Sequence, residues 1–191
     1  MQNQVNEICN KISNEISPLL QKSKPLLIAI DGNCAAGKTT IAKHLSLMLS
    51  ADVVHMDDFY LPLAMRSEEQ MNRPGGNIDF DRLISEVLQP LSKGLEYIYR
   101  AYNCQTADFS EPSAVTPKPI TVIEGAYSCH PCLENYLDYK VFVSVEEEKQ
   151  LDRILKRNGE QKAMEFKTKW IPRENYYFDF FDIRNKCDII L

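Results

Sequence analysis

Apolar residues in this chain come in short, nearly unbroken runs, separated by stretches in which they recur every three or four positions. The runs are Leu26 to Asp31, Asp52 to Met56, Ile120 to Glu124, Lys140 to Val145 and Cys187 to Leu191. They are too continuous for strands with one wet face, so they predict strands buried on both sides, as in a parallel sheet. Between them, Thr39 to Leu49 carries Ile41, Leu45, Met48 and Leu49 on one helical face, and Asp81 to Leu91 repeats the pattern with Leu83, Ile84, Val87, Leu88 and Leu91. Glu146 to Arg157 opens with three glutamates, which suit the positive end of a helix, and meets its stop at Asn158-Gly159. Strands alternating with helices predict an α/β fold: a doubly wound, five-stranded parallel sheet with helices on both faces and ligands at the carboxyl ends of the strands.

Two stretches depart from this rhythm. Met1 to Ser17 is polar, with Val5, Ile8, Ile12 and Ile16 at helical spacing, and lacks the apolar centre of a signal peptide. Ser92 to Pro119 gathers Tyr97, Tyr99 and Tyr102 and then Pro112, Pro117 and Pro119, which predicts an irregular excursion or a short hairpin inserted at about 92–119 of a single domain spanning 1–191. Excursions of that length usually serve function.

The first apolar run feeds directly into Gly32-Asn33-Cys34-Ala35-Ala36-Gly37-Lys38-Thr39-Thr40. Strand, then GxxxxGKT, then helix is the setting of a phosphate-binding P-loop, and the fold expected is that of P-loop NTPases. Gly32 and Gly37 free the backbone to curl, so that successive N–H groups point at phosphate oxygens, and the following helix adds its dipole. Lys38 would reach the β/γ-phosphates and Thr39 would bind Mg²⁺. The cofactors expected are therefore ATP and Mg²⁺.

Composition narrows the partner. The chain has 191 residues and a net charge of −5, with a pI near 5.3. It offers no basic stripe for a polynucleotide, so a small-molecule acceptor is expected. No apolar run approaches the roughly 18 residues of a membrane span. Six cysteines at 9, 34, 104, 129, 132 and 187 form no regular framework and fit reduced thiols in the cytoplasm. Cys129-His130-Pro131-Cys132 is a lone CxxC, which reads as two ordinary thiols before a redox pair. Trp170, Tyr176, Tyr177, Phe178, Phe180 and Phe181 make a helical core face before they make a homo-oligomeric contact.

Three more segments could complete phosphoryl-transfer chemistry. Asp57 and Asp58 follow the second run, and one can serve as base; alternation along an extended chain turns only one of them toward a substrate. The competing role is an acidic cap on the next turn. Glu124 ends the third run, where an acid can hold Mg²⁺ directly or through water. Arg153 and Arg157 lie four apart on a predicted helix and could clamp migrating charge, or simply pair with Glu146 to Glu148 and Asp152.

Taken together, Gly32 to Thr40, Met56-Asp57-Asp58-Phe59-Tyr60, Asn77-Ile78-Asp79-Phe80-Asp81, Glu124-Gly125 and Arg153 to Arg157 resemble the uridine kinase and phosphoribulokinase family of P-loop kinases, over nearly the whole chain from Pro25. The resemblance implies that Asp57 is the catalytic base, where the family's Asp-Ser-Phe-Tyr segment has Ser in place of Asp58. It places Tyr60 near a nucleobase and Asp79, with Asp81 as rival, on ribose hydroxyls. It matches the family's base-contacting Tyr-Asp-Phe hairpin loosely to Tyr102-Asn103-Cys104. Two departures concern the acceptor: the hairpin lacks the family's base-contacting His, and Arg73-Pro74-Gly75-Gly76-Asn77 precedes the acidic pair. Arg73 could meet an anionic acceptor or be a surface charge beside a Gly-Gly turn.

The expectation is an ATP- and Mg²⁺-dependent kinase of a nucleoside-like hydroxyl, with Arg153 and Arg157 in a closing lid. A kinase of nucleoside monophosphates or other phosphorylated metabolites is the first rival. A nucleotide-binding switch is the second, although the Asn/Thr-Lys-x-Asp guanine motif of such switches does not occur in the sequence.

Overall fold

The computed structural model describes residues 2–21 and 24–191. Its centre is a five-stranded, all-parallel sheet of β1 (Leu26–Gly32), β2 (Asp52–His55), β7 (Ile120–Glu124), β8 (Tyr139–Val143) and β9 (Ile189–Ile190), in the order β2-β7-β1-β8-β9. All five coincide with predicted runs. The second ends one residue early at His55, the fourth two residues early at Val143, and only Ile189 and Ile190 of the last pair as strand. In β1 every residue is buried, because alternate side chains enter different cores. Leu27 and Ala29 face a core shared with Leu83, Val87, Leu88, Tyr177 and Phe178. Leu26, Ile28 and Ile30 face a second core shared with Ile12, Ile16, Ile41 and Leu45. A strand apolar on both faces needs cover on both, which accounts for the unbroken run in sequence.

The second core is covered by α1 (Gln2–Ile16) and α2 (Lys38–Leu49). The first is covered by a helix that begins as α4 (Phe80–Leu83), widens into a π-turn at Ile84–Leu88 and ends as α5 (Gln89–Ser92), together with α8 (Ile171–Phe181). A short α3 (Glu68–Met71) lies in the connection from β2 to α4. The stretch after α5 is a long hairpin of two antiparallel ladders, β3 (Tyr97–Tyr99) with β6 (Ser113–Val115) and β4 (Tyr102–Asn103) with β5 (Asp108–Phe109).

After β8 the chain forms α6 (Glu147–Asn158), breaks at Gly159 (φ +79°), and restarts at once as α7 (Glu160–Glu165), a π-turn (Phe166–Trp170) and α8. The aromatic cluster at its end divides. Tyr177 and Phe178 are buried and Phe181 packs against them, whereas Tyr176 and Phe180 are 48% and 60% exposed and touch each other at 5.6 Å between ring centres. Among the described residues no helix is long and apolar enough to cross a membrane.

Candidate active site

The loop between β1 and α2 sits at the carboxyl end of the central strand, and its glycines explain its path. A Cβ on Gly32 (φ +126°) would lie 2.0 Å from the Val143 carbonyl oxygen, and Gly37 holds φ +106°. Gly37 also caps α2 without any side-chain hydrogen bond, which leaves the helix's first N–H groups open to an anion. Lys38 is buried and folds back, its Nζ donating to the carbonyls of Gly32 (2.7 Å) and Asn33 (2.9 Å). Thr39 and Thr40 follow Lys38 in the first turn of α2 and are exposed.

Residues far away in sequence brace this loop. The Asp31 carboxylate, fully buried, accepts from the N–H groups of Gly32 (2.7 Å), Tyr127 (3.1 Å) and Cys129 (2.9 Å) and from the Tyr177 hydroxyl (2.8 Å). Burial pushes its pKa up, against the pull of these donors and of Lys38. From α8, Glu174 Oε2 accepts from the Cys34 N–H at 2.9 Å. From α6, Gln150 Nε2 donates to the Cys34 carbonyl at 3.1 Å, and Arg153 Nη1 donates to the carbonyls of Ala35 (3.0 Å) and Ala36 (3.4 Å). Arg157 is not brought to the loop: it is exposed and its Nε donates to Asn158 at 2.8 Å. Among the described residues the ion pairs with Glu146 and Asp152 are made by Lys149 and Lys156 rather than by either arginine.

A hydroxyl and a carboxylate able to hold a hard cation stand beside the loop. Thr39 Oγ1 lies 3.0 and 3.2 Å from the two Glu124 oxygens. Mg²⁺ favours one or two such oxygen donors, completed by phosphate and water. His55 Nδ1 lies 2.7 Å from Glu124 Oε1, and that hydrogen bond raises the His55 pKa above its usual value. Sequence reasoning did not single out His55, yet it ends β2 in register with Glu124 on β7.

Opposite the loop, Asp57 and Asp58 occupy a 3₁₀ turn (Met56–Phe59) rather than the extended chain that the alternation argument assumed. The turn nevertheless separates them. Asp58 is half-buried; the Tyr99 hydroxyl of the hairpin donates to its carboxylate at 3.2 Å, and burial raises its pKa. Asp57 is exposed and takes the Tyr60 hydroxyl as a neighbour; burial, and then the Asp57 charge, push the Tyr60 pKa well above its usual value. Asp79 lies alongside, since Tyr60 bridges Ile78 in antiparallel fashion and the Asp79 N–H donates to the Phe59 carbonyl at 2.8 Å. Its carboxylate caps α4 by accepting from the Arg82 N–H at 3.1 Å, whereas Asp81 is exposed.

Arg82, which the sequence did not mark, organises this side. Its guanidinium donates to the carbonyls of Asp58 and Arg100 at 2.7 Å each, pairs with Asp79 at 3.6 Å, and lies 4.5 Å from the Phe59 ring centre. Tyr102 is buried, and its hydroxyl accepts from the Leu63 N–H at 3.2 Å, fastening the hairpin to the segment after the turn. Arg73 makes an exposed pair with Glu69 at 2.6 Å.

The CxxC thiols do not meet. Cys129 is buried with its sulfur 3.9 Å from that of Cys187, and Cys132 is exposed with its sulfur 2.9 Å from His130 Nδ1. A thiol hydrogen bond with Cys187 and burial push Cys129 well above the usual thiol range, and burial pushes Cys132 up to about 12.

A parallel sheet ordered β2-β7-β1-β8-β9, a glycine loop ending in Lys38-Thr39 off its central strand, and an acid at the end of the neighbouring strand define a P-loop kinase. The sequence model of the phosphoribulokinase / uridine kinase family matches residues 27–168. The chain belongs to that family and is a P-loop kinase of small-molecule substrates. Uridine kinase of Ligilactobacillus salivarius is 26% identical over 153 residues, covering 75% of this chain and 71% of that protein. Uridine kinase of Bacillus cytotoxicus is 28% identical over 151 residues, 74% and 70% of the two chains. Among solved structures, a possible uridine kinase from Bacillus stearothermophilus superposes with a TM-score of 0.71 at 20% identity, covering 100% of this chain and 98% of that one. D-glycerate 3-kinase of Cryptococcus neoformans gives 0.63 at 14% identity, covering 91% and 87%. The last two are likenesses of fold.

Proposed function

We propose that this protein transfers the γ-phosphoryl group of ATP to a hydroxyl of a nucleoside-like acceptor. Lys38 and those amides of the Gly32 to Thr40 stretch that the fold leaves open bind the phosphates; the N–H groups of Gly32, Asn33, Cys34 and Ala36 are already taken by Asp31, Val143, Glu174 and Asn33. Thr39 and Glu124 hold Mg²⁺, which neutralises charge on the β- and γ-oxygens when bound. Asp57 accepts or orients the acceptor's proton, Tyr60 and Asp79 line the acceptor site, and Tyr102 shapes it through the hairpin. Arg153 steadies the loop from α6 and, with Arg157, belongs to a lid that closes over the nucleotide.

The observation that carries this reading is the difference in exposure between neighbouring acids: each has a tyrosine hydroxyl as neighbour, Tyr99 for Asp58 and Tyr60 for Asp57, but Asp58 is half-buried whereas the Asp57 carboxylate is exposed to an incoming acceptor. The uridine kinase names of the relatives favour a nucleoside. An anionic acceptor would have to draw Arg73 away from Glu69. The six free cysteines fit a reducing cytoplasm, and residues 1–191 act as one domain.

A coupled assay of ATP consumption across nucleosides, nucleotides and sugar phosphates tests the proposal. Consumption is expected to stay low until a nucleoside is added. Stimulation only by phosphorylated acceptors would move the assignment to a metabolite-phosphate kinase, and acceptor-independent hydrolysis would point to a switch.

A further inference from the structure

Glu174 is a carboxylate only 6% exposed, on a helix that sequence reasoning treated as an aromatic core face. Burying an ionised acid is costly unless its hydrogen bonds serve some purpose. The charge of Lys38 eases that cost, yet Lys38 spends its ammonium hydrogen bonds on the carbonyls of Gly32 and Asn33. What Glu174 grips is the Cys34 N–H, in the middle of the phosphate loop and 140 positions away in sequence.

The neighbours of this contact show a pattern. Glu174 and Tyr177 are three residues apart and so lie on one face of α8. Tyr177 donates to Asp31 just before the loop, and Glu174 accepts from Cys34 inside it. Gln150 holds the other end of the same residue through the Cys34 carbonyl. The Cys34 peptide N–H and the following carbonyl are therefore clamped from two different helices, α8 and α6. A loop of small residues between two glycines has little of its own to fix its peptide planes, and those planes determine where its N–H groups point.

We propose that Glu174 is a positioning residue of the phosphate loop: its carboxylate fixes the Cys34 peptide, and thereby ties α8 to the shape that receives the triphosphate. The part of this claim that concerns nucleotide affinity rests on the kinase reading above; the part that concerns the loop does not. The working element is an acceptor oxygen at the right reach. A glutamine can supply it, whereas an aspartate, one methylene shorter, keeps the charge but loses the reach.

The test compares Glu174→Asp and Glu174→Gln, both close to the parent in size, by amide hydrogen exchange at Cys34 and by MgATP kinetics on the full chain. In E174D the Cys34 amide is expected to exchange about tenfold faster than in the parent. KM for MgATP should rise about tenfold and kcat should stay within about threefold, since Glu174 touches no reacting atom. E174Q should recover most of the protection and most of the affinity. Equal Cys34 exchange in E174D and the parent, or an E174Q as impaired as E174D, would overturn the proposal. If the parent took up no MgATP, the kinase reading would fall, and the exchange data would still judge the brace.

Discussion

The two sides of the proposed site, the loop after β1 and the region around Asp57 and Asp79, are built by different means. On the nucleotide side the loop is held by groups that arrive from distant parts of the chain, the buried Gln150, Glu174 and Tyr177 and the exposed Arg153, all more than 110 positions beyond it or beyond Asp31. On the acceptor side the contacts are shorter in sequence and closer to water. Arg82 reaches Asp58 across 24 positions and Arg100 across 18, and it pairs with Asp79 three residues away. The loop is thus fixed by contacts from across the fold, whereas the region we propose for the acceptor is held mainly by contacts short in sequence. A family can keep one phosphoryl donor and vary its acceptors on such a plan.

The sharpest way to break this comparison is Asp57→Asn. Turnover should fall by about 10²- to 10⁴-fold with MgATP binding by calorimetry nearly unchanged. Asp58→Asn, which removes the charge but keeps an oxygen that can accept from Tyr99, should cost far less. Full activity in D57N with loss in D58N would hand the role to the neighbour. Next in size is Arg82→Ala. The side chain is 11% exposed, and its loss takes the donor from the Asp58 carbonyl and the ion pair from Asp79, whose cap bond to the backbone of position 82 remains; this should cost about 2–4 kcal/mol. For a chain of this size that is a fall in Tm of roughly 5–15 °C. If the acceptor region is as local as described, acceptor KM in R82A at low temperature should rise while MgATP affinity holds.

His130 sits where the two sides touch, its ring 4.3 Å from Phe80 on the acceptor side and 4.8 Å from Phe181 at the end of α8. Burial lowers its pKa to about 4, against a hydrogen bond to Pro74 that works the other way. Because this is below the ordinary value of about 6.5, the unfolded chain binds a proton between those two pH values that the folded chain refuses. Stability therefore falls as pH drops through that window. Thermal melts at pH 6.5 and pH 4.5 should show a steeper loss for the parent than for His130→Gln. The smallest effect is expected of Arg73→Ala. Its pair with Glu69 joins side chains 62% and 81% exposed, so stability should move by less than about 0.5 kcal/mol. Reduced competition by anionic acceptors in R73A would reveal a role that its surface setting does not suggest.

The sequence was most legible where local chemistry and periodicity agree. Continuous apolar runs located the five strands of the sheet, because burial on both faces leaves a direct mark, and Gly32 to Thr40 declared the phosphate loop through spacing alone. The braces were illegible for the opposite reason. Glu174, Gln150 and Tyr177 sit in helices where a lone polar residue looks like any other, and only the folded chain brings them to Cys34 and Asp31. Arg82 hid in the same way within an apolar helix face. That only one of Asp57 and Asp58 faces a substrate rested on strand alternation, the choice of Asp57 on the family resemblance, and the 3₁₀ turn separates the two by another geometry. Arg153 and Arg157 share a helix, but only the first lies within reach of the loop, since one turn along α6 carries the second past it.

The central position of β1 also bears on how the protein comes into being. Its partners β7 and β8 begin at Ile120 and Tyr139, and the clamps on its loop come later still, up to Tyr177. On the ribosome the loop residues emerge well before their flanking strands and clamps, so the loop can take its final shape only after the stretch up to Tyr177 has followed it.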